Sequence, residues 1–204
     1  MTATLERGTN TKLTEAEYLE LERHSEVRHE FIDGRMLEVP GASKTHIRIV
    51  TNITVALAPP AHQQDCRFVA ADGQLRSLLG RYYYPDVMIA CLESTDSHVE
   101  DSPCFLLEVL SPSTEKFDRG RKFNEYTSIP SLKQYVLVAQ DEQRLTVFTR
   151  AENDWRVQFI TEGAIQIECL ETALSLEQVY AGVTLEPMDS DQLGPSNLSE
   201  PTDP

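Results

Sequence analysis

Three observations predict a mixed α/β domain of the α+β kind, built on a central mixed β-sheet flanked by helices. The apolar runs Val87 to Cys91 and Cys104 to Leu110 are short, β-rich and bounded by turn residues, as buried strands are. Helical and strand-like segments follow one another irregularly, in the order helix, hairpin, helix, strands, helix, strands, so a doubly wound parallel sheet is not the expected outcome. At 204 residues the chain can fill one core and is too short for two catalytic domains.

Residues 1 to 11 show no hydrophobic period and read as a flexible N-terminal arm. Thr14 followed by Glu17 forms a capping box for a short helix ending near Arg23. Asp33-Gly34 stands between alternating flanks and predicts a hairpin of strands near Arg28 to Ile32 and Arg35 to Val39. His46 to Leu57 places Ile49, Ile53, Ala56 and Leu57 on one helical face, and Pro59-Pro60 is expected to end that helix. Residues 66 to 79 read as a second hairpin or strand pair around Asp72-Gly73. Val87 to Cys91 and Cys104 to Leu110 are expected to pair antiparallel across a polar loop over residues 93 to 103. Phe117, Asp118, Lys122, Tyr126 and Ile129 then recur at helical spacing, up to Pro130. Tyr135 to Val138, Arg144 to Thr149 and Trp155 to Ile160 read as a meander, and Ser175 with Gln178 caps a short helix closing at Gly182. The domain therefore spans 12–184. Residues 185–204 are rich in proline, serine and acid, and are expected to form a disordered acidic tail.

The formal charge is −15. Glu186, Asp189, Asp191, Glu200 and Asp203 account for part of it, but the rest of the chain is acidic too, which argues against broad nonspecific attraction to nucleic acid while allowing a local site. Cys66, Cys91, Cys104 and Cys169 fall at no metal-ligand spacing and, without a secretory signal, read as reduced, packed thiols of a cytoplasmic protein. No apolar run approaches the roughly 18 residues of a membrane span. Phosphate-loop, GxSxG, HExxH and GxGxxG patterns are missing, so nucleotide hydrolysis, serine hydrolase, zincin and dinucleotide readings lose their usual support.

Two acids carry the chemical signal. Asp86 enters one apolar run and Glu108 stands inside FLLEVL, where an ionised carboxylate loses several kcal/mol of hydration unless a cation, donor or proton compensates. The bland alternative is a pair of solvated strand ends balanced by arginines such as Arg81 or Arg119. The apolar neighbours on both sides of Glu108 favour a shared metal, and Mg²⁺ or Mn²⁺ suits one or two carboxylates with phosphate oxygens in the remaining positions. Lys122 lies four residues after Asp118 and four before Tyr126, so the three share a helix face. Alone this would be an ordinary surface pair, but the helix follows directly on the Glu108 strand. Glu30 is an accessory candidate in the first hairpin, whereas His46 reads as a capping or core residue rather than an essential base.

The series His29-Glu30-Phe31-Ile32-Asp33-Gly34, His46, Tyr84-Pro85-Asp86-Val87, Glu108-Val109-Leu110-Ser111-Pro112-Ser113-Thr114, Asp118 to Tyr126 and Pro130 to Val138 resembles the bacterial Uma-type restriction endonuclease family. The resemblance implies the PD-(D/E)XK nuclease superfamily and its restriction-endonuclease-like fold. It implies Mg²⁺ held by Asp86 and Glu108, as well as a lysine that assists the attacking water. Two residues after the glutamate, where that lysine usually stands, this chain has Leu110, and Lys122 matches the family's helical lysine. The expectation is thus a Mg²⁺-dependent endonuclease hydrolysing DNA phosphodiester bonds, with Asp86, Glu108, Lys122 and Glu30 as the site and RNA not separated from DNA. A homodimer is compatible with cutting both strands. The rival is a catalytically weak or inactive nuclease-fold protein acting as a binding or assembly module.

Overall fold

The computed structural model describes residues 12–185 except 95, 97, 112–114 and 153. The expected N-terminal arm, and the expected tail beyond residue 185, lie outside the described residues. Helix α1 (Glu15–Arg23) begins with the anticipated capping box, in which Thr14 and Glu17 satisfy each other's backbone N–H. Strands β1 (His29–Ile32) and β2 (Arg35–Glu38) form the Asp33-Gly34 hairpin. Both turn residues have positive φ, 54° and 87°, and a Cβ on Gly34 would come within 2.7 Å of Lys12 Cβ, so glycine is required there.

Helix α2 (Lys44–Gln63) is longer than its hydrophobic pattern predicts and runs through Pro59 and Pro60. The prolines forfeit backbone hydrogen bonds, yet Ala61 of the following turn is fully buried and its carbonyl accepts from Cys66, so packing holds the last turn in helical form. Ile49, Ile53, Leu57 and Ala61, four apart along one stripe, seat the helix on the main sheet.

The predicted strand pair around Asp72-Gly73 is corrected by the structure. β3 (Arg67–Ala70) and β4 (Gln74–Arg76) do form, but they do not pair with each other: they belong to different sheets. β3 pairs with β6 (Val87–Ala90), and β4 pairs with β5 (Tyr82–Tyr83) and with β7 (Val99–Glu100), a short strand inside the predicted polar loop. The chain crosses between sheets where Ala71 has φ 62° and where a Cβ on Gly73 would sit 2.3 Å from Val69 Cγ1.

The main sheet has the order β11-β10-β9-β8-β6-β3, with β8 (Phe105–Val109), β9 (Gln134–Val138), β10 (Leu145–Arg150) and β11 (Trp155–Ile160). β6 and β8 pair antiparallel as expected, β8 and β9 pair parallel, and β9 to β11 form the anticipated meander. The parallel step needs a crossover, supplied by α3 (Glu115–Phe117), a π-helical turn (Asp118–Lys122) and α4 (Phe123–Ser128). Side chains alternate across the sheet. Val87, Ile89, Phe105, Leu107 and Val109 face α2, together with an unforeseen hairpin of β12 (Ala164–Ile167) and β13 (Thr172–Ser175) and helix α5 (Leu176–Val179). Met88, Leu106 and Leu110 face the crossover helix, where Tyr126, Tyr135 and Leu137 complete a second core. Helix α5 opens on the predicted Ser175–Gln178 capping box.

The cysteines correct another expectation. They are joined as Cys66–Cys91 and Cys104–Cys169, because β3, β6 and β8 are neighbours and their equivalent ends meet. Among the described residues, no helix is long and apolar enough to cross a membrane.

Candidate active site

The β6–β8 register pairs Val87 with Leu107, so one step further sets Asp86 opposite Glu108. The alternation that buries Leu106 and Leu110 against the crossover helix points Glu108 toward the same helix. Its pairing partner there is Lys122. Glu108 Oε1 accepts from Lys122 Nζ at 3.0 Å and from the Tyr126 hydroxyl at 3.0 Å. Lys122 Nζ also lies 3.2 Å from Glu30 Oε1 and 3.2 Å from Asp118 Oδ1. Glu108, Asp118 and Lys122 are 4%, 1% and 5% exposed, so these charges meet inside the protein.

Asp86 is held from two sides. Its Oδ2 accepts from the Val109 backbone N–H at 2.7 Å, and its Oδ1 lies 2.8 Å from His46 Nε2, brought over by the first turn of α2. Ser43 caps that helix by accepting from the His46 N–H, which helps fix where the imidazole projects. The π turn is a second positioning device. Phe123 N–H reaches back five residues to the Asp118 carbonyl, and within the turn Asp118 and Lys122 are buried toward the sheet. The Tyr135 hydroxyl donates to the same Asp118 carbonyl.

The electrostatics follow from burial. Burial pushes the Glu108 carboxyl well above the ordinary carboxylate range; Lys122 opposes this, while Asp118 and Asp86 add to it. Glu30 is raised for the same first reason, with Lys122 again opposing. Burial alone would lower Lys122, but Glu108, Glu30 and Asp118 outweigh it and hold the ammonium pKa well above its usual value. Three carboxylates thus share one lysine, and Asp86 adds a fourth negative charge beside Glu108. Asp118 Oδ1 is buried and, despite the nearby ammonium, makes no hydrogen bond of good geometry. An all-oxygen donor set with surplus negative charge suits a hard divalent cation.

The structure brings all four expected residues, Asp86, Glu108, Lys122 and Glu30, into one cluster, and Leu110 lies in the core beside it. The arginine alternative is not what the fold contains: Arg81 pairs with Asp33 and Glu125, and Arg119 with Glu115 at 2.7 Å. Asp118 was legible only as a partner of Lys122 four residues on; its burial required the π turn. His46 carried no sequence signal tying it to Asp86, 40 residues away.

The model of the Uma2 family, described as "Putative restriction endonuclease", matches residues 15–182. The chain belongs to the Uma2 family. Two relatives from Synechocystis sp. share its sequence. The uncharacterized protein slr1290 is 27% identical over 84% of this chain and 93% of its own length, and the uncharacterized protein sll1609 is 34% identical over 65% and 78%. The crystal structure of a putative nuclease belonging to DUF820 from Anabaena variabilis is similar in fold, with a TM-score of 0.69 over 84% of this chain and 99% of that one, at 16% identity. The Uma2 match covers every element that builds the acid cluster, from the Glu30 strand to the Lys122 helix.

Proposed function

We propose that this Uma2 protein is a Mg²⁺- or Mn²⁺-dependent endonuclease that hydrolyses DNA phosphodiester bonds. The observation that supports it most is the convergence of Glu30, Glu108 and Asp118 on the ammonium of Lys122, with Asp86 opposite Glu108 in the strand register, an arrangement whose surplus negative charge a cation would offset. Asp86 and Glu108 would hold the metal. When bound there, it supplies charge stabilisation to a phosphate oxygen and a lowered pKa to water.

The protein's own groups do the rest. The Val109 N–H and His46 hold the Asp86 carboxylate in one orientation, so its geometry does not have to be assembled when substrate arrives. Tyr126 does the same for Glu108. Lys122 stays protonated under ordinary conditions because three carboxylates surround it, and its ammonium stabilises negative charge developing at phosphorus as the leaving oxygen departs. Glu30 is the accessory acid: it shares Lys122 and restrains the ammonium from the first hairpin.

The test is cleavage of duplex DNA and of single-stranded RNA by the full chain, with Mg²⁺, Mn²⁺ or chelator, against Asp86→Asn and Glu108→Gln. The expected result is metal-dependent cutting of DNA that falls by about a hundredfold or more in either variant. A wild-type chain that cuts nothing its Asp86→Asn variant leaves intact would sink the nuclease reading and leave a noncatalytic module.

A further inference from the structure

The strands that carry the acids at one end carry sulfur at the other. Cys91 directly follows β6 and Cys104 directly precedes β8, while Cys66 precedes β3 and Cys169 lies in the turn of the β12–β13 hairpin. These are all the cysteines of the chain. The sulfurs of Cys91, Cys104 and Cys169 lie within 4.8 Å of one another, Cys66 is bonded to Cys91, and Cys91 Sγ stands 3.6 Å from Cys104 Sγ across the two disulfides. Four thiolates arranged tetrahedrally at about 2.3 Å from Zn²⁺ would lie roughly 3.8 Å apart. The Cys91–Cys104 separation is close to that edge, the Cys169 sulfur lies within 4.8 Å of both, and Cys66 is brought to the group by its bond to Cys91.

We infer that the four cysteines form a redox-gated zinc site: two disulfides when oxidised, and a Cys₄ Zn²⁺ site when a dithiol or phosphine has reduced them. Each disulfide takes two electrons from one molecule of reductant, breaking its S–S bond and leaving two thiols; a dithiol supplies the two protons as it closes to its own disulfide, whereas with a phosphine they come from a water molecule whose oxygen leaves in the phosphine oxide. Zn²⁺ then replaces the thiol protons, which pass to solvent.

The scaffold does not depend on the disulfides to keep the sulfurs together. β8, β6 and β3 are adjacent in one sheet, the Cys104 N–H donates to Ile89 and the Cys66 N–H to Ala61. The hairpin that carries Cys169 is held separately. Gln134 donates to the Gln166 carbonyl at 2.9 Å and accepts from the Glu168 N–H at 2.9 Å, and Gln64 donates to the Leu170 carbonyl. Cys91 is exposed, which provides entry for metal and reductant, while Cys66 and Cys104 are buried. Soft thiolates select Zn²⁺, whereas the oxygen cluster at Asp86 and Glu108 suits hard cations, so the two sites sort metals by chemistry. This inference is independent of the nuclease reading.

The experiment titrates the full wild-type chain with Co²⁺ as a spectroscopic substitute for Zn²⁺, in excess Mg²⁺, once after phosphine reduction and once oxidised. The reduced chain should develop thiolate-to-cobalt charge-transfer and tetrahedral d–d bands that saturate at one ion and are bleached by Zn²⁺, and the oxidised chain should develop neither. In parallel, Zn²⁺ should protect all four cysteines of the reduced chain from alkylation. Absence of the thiolate bands after reduction, the same bands in the oxidised chain, or full alkylation in the presence of Zn²⁺ would each overturn the inference. Because both states are the same wild-type sequence, the result does not depend on whether a cysteine variant folds.

Discussion

The two ends of the β6–β8 pair are built in opposite ways. At the acid end, folding gathers three carboxylates around the Lys122 ammonium with Asp86 beside them, and burial penalises the charges it brings together. At the sulfur end, the same strands bring together groups that bond covalently, so proximity itself stabilises the fold. Stability is stored at one end and held back at the other, and it is the second kind of arrangement that leaves free energy available for a ligand.

The sharpest way to break this contrast is to remove the Lys122 ammonium from the acid end. Lys122→Met leaves three buried carboxylates without their partner and should cost about 3 to 5 kcal/mol in chemical denaturation. A variant as stable as the wild type would mean that the ammonium does not hold that end together. At the sulfur end the corresponding operation is reduction. The bridges span separations of 25 and 65 residues, and opening one should cost about 3 to 4 kcal/mol by chain entropy, with Zn²⁺ recovering part of the loss. A midpoint that reduction leaves in place would show that the bridges contribute little.

A smaller effect comes from metal at the acid end, and its sign depends on pH. Glu108 and Glu30 are raised in the folded protein, so the stability they contribute is present at acid pH and is lost as pH climbs from the ordinary carboxylate range through their folded values. Lys122 shifts upward as well, but its contribution persists across neutral pH. Mg²⁺ or Mn²⁺ at a hundredfold over its dissociation constant should therefore add about 2.7 kcal/mol near neutrality and clearly less in acid, read as a shift in melting temperature. An equal shift at both pH values would place the metal elsewhere. Smallest of all, Tyr126→Phe removes one hydrogen bond to Glu108 and should cost about 1 to 2 kcal/mol by denaturation, while Tyr180→Phe, at a hydroxyl bonded to the Ala139 carbonyl in the core on the α2 side of the sheet, leaves the metal response intact.

Much of the fold could be read locally. The capping boxes at Thr14 and Ser175, the Asp33-Gly34 turn and the meander from β9 to β11 all depend on neighbours a few residues apart. Pro59-Pro60 misled because burial of Ala61 outweighs the missing backbone bonds. Residues 66 to 79 misled because a turn signal does not say which sheet the next strand joins. In the site, Asp86 and Glu108 were conspicuous as acids in apolar runs, and Lys122 stood at helical spacing from Asp118. The contact between His46 and Asp86 was invisible, as it joins separate elements 40 residues apart.

By itself, the sequence determined most of the segments, though not β7 or the β12–β13 hairpin, as well as which acids would be costly to bury and the motif shared with the family that spans Glu108 and Lys122. Only the tertiary structure decided the neighbours. It placed Glu30 and Asp118 on the same ammonium, turned His46 toward Asp86, and collected four cysteines with no common spacing at one end of a sheet. The reason is physical: local signals act over a few residues through backbone hydrogen bonds and periodicity, whereas charge pairing and sulfur contact depend on strand order, which emerges only when the whole core packs.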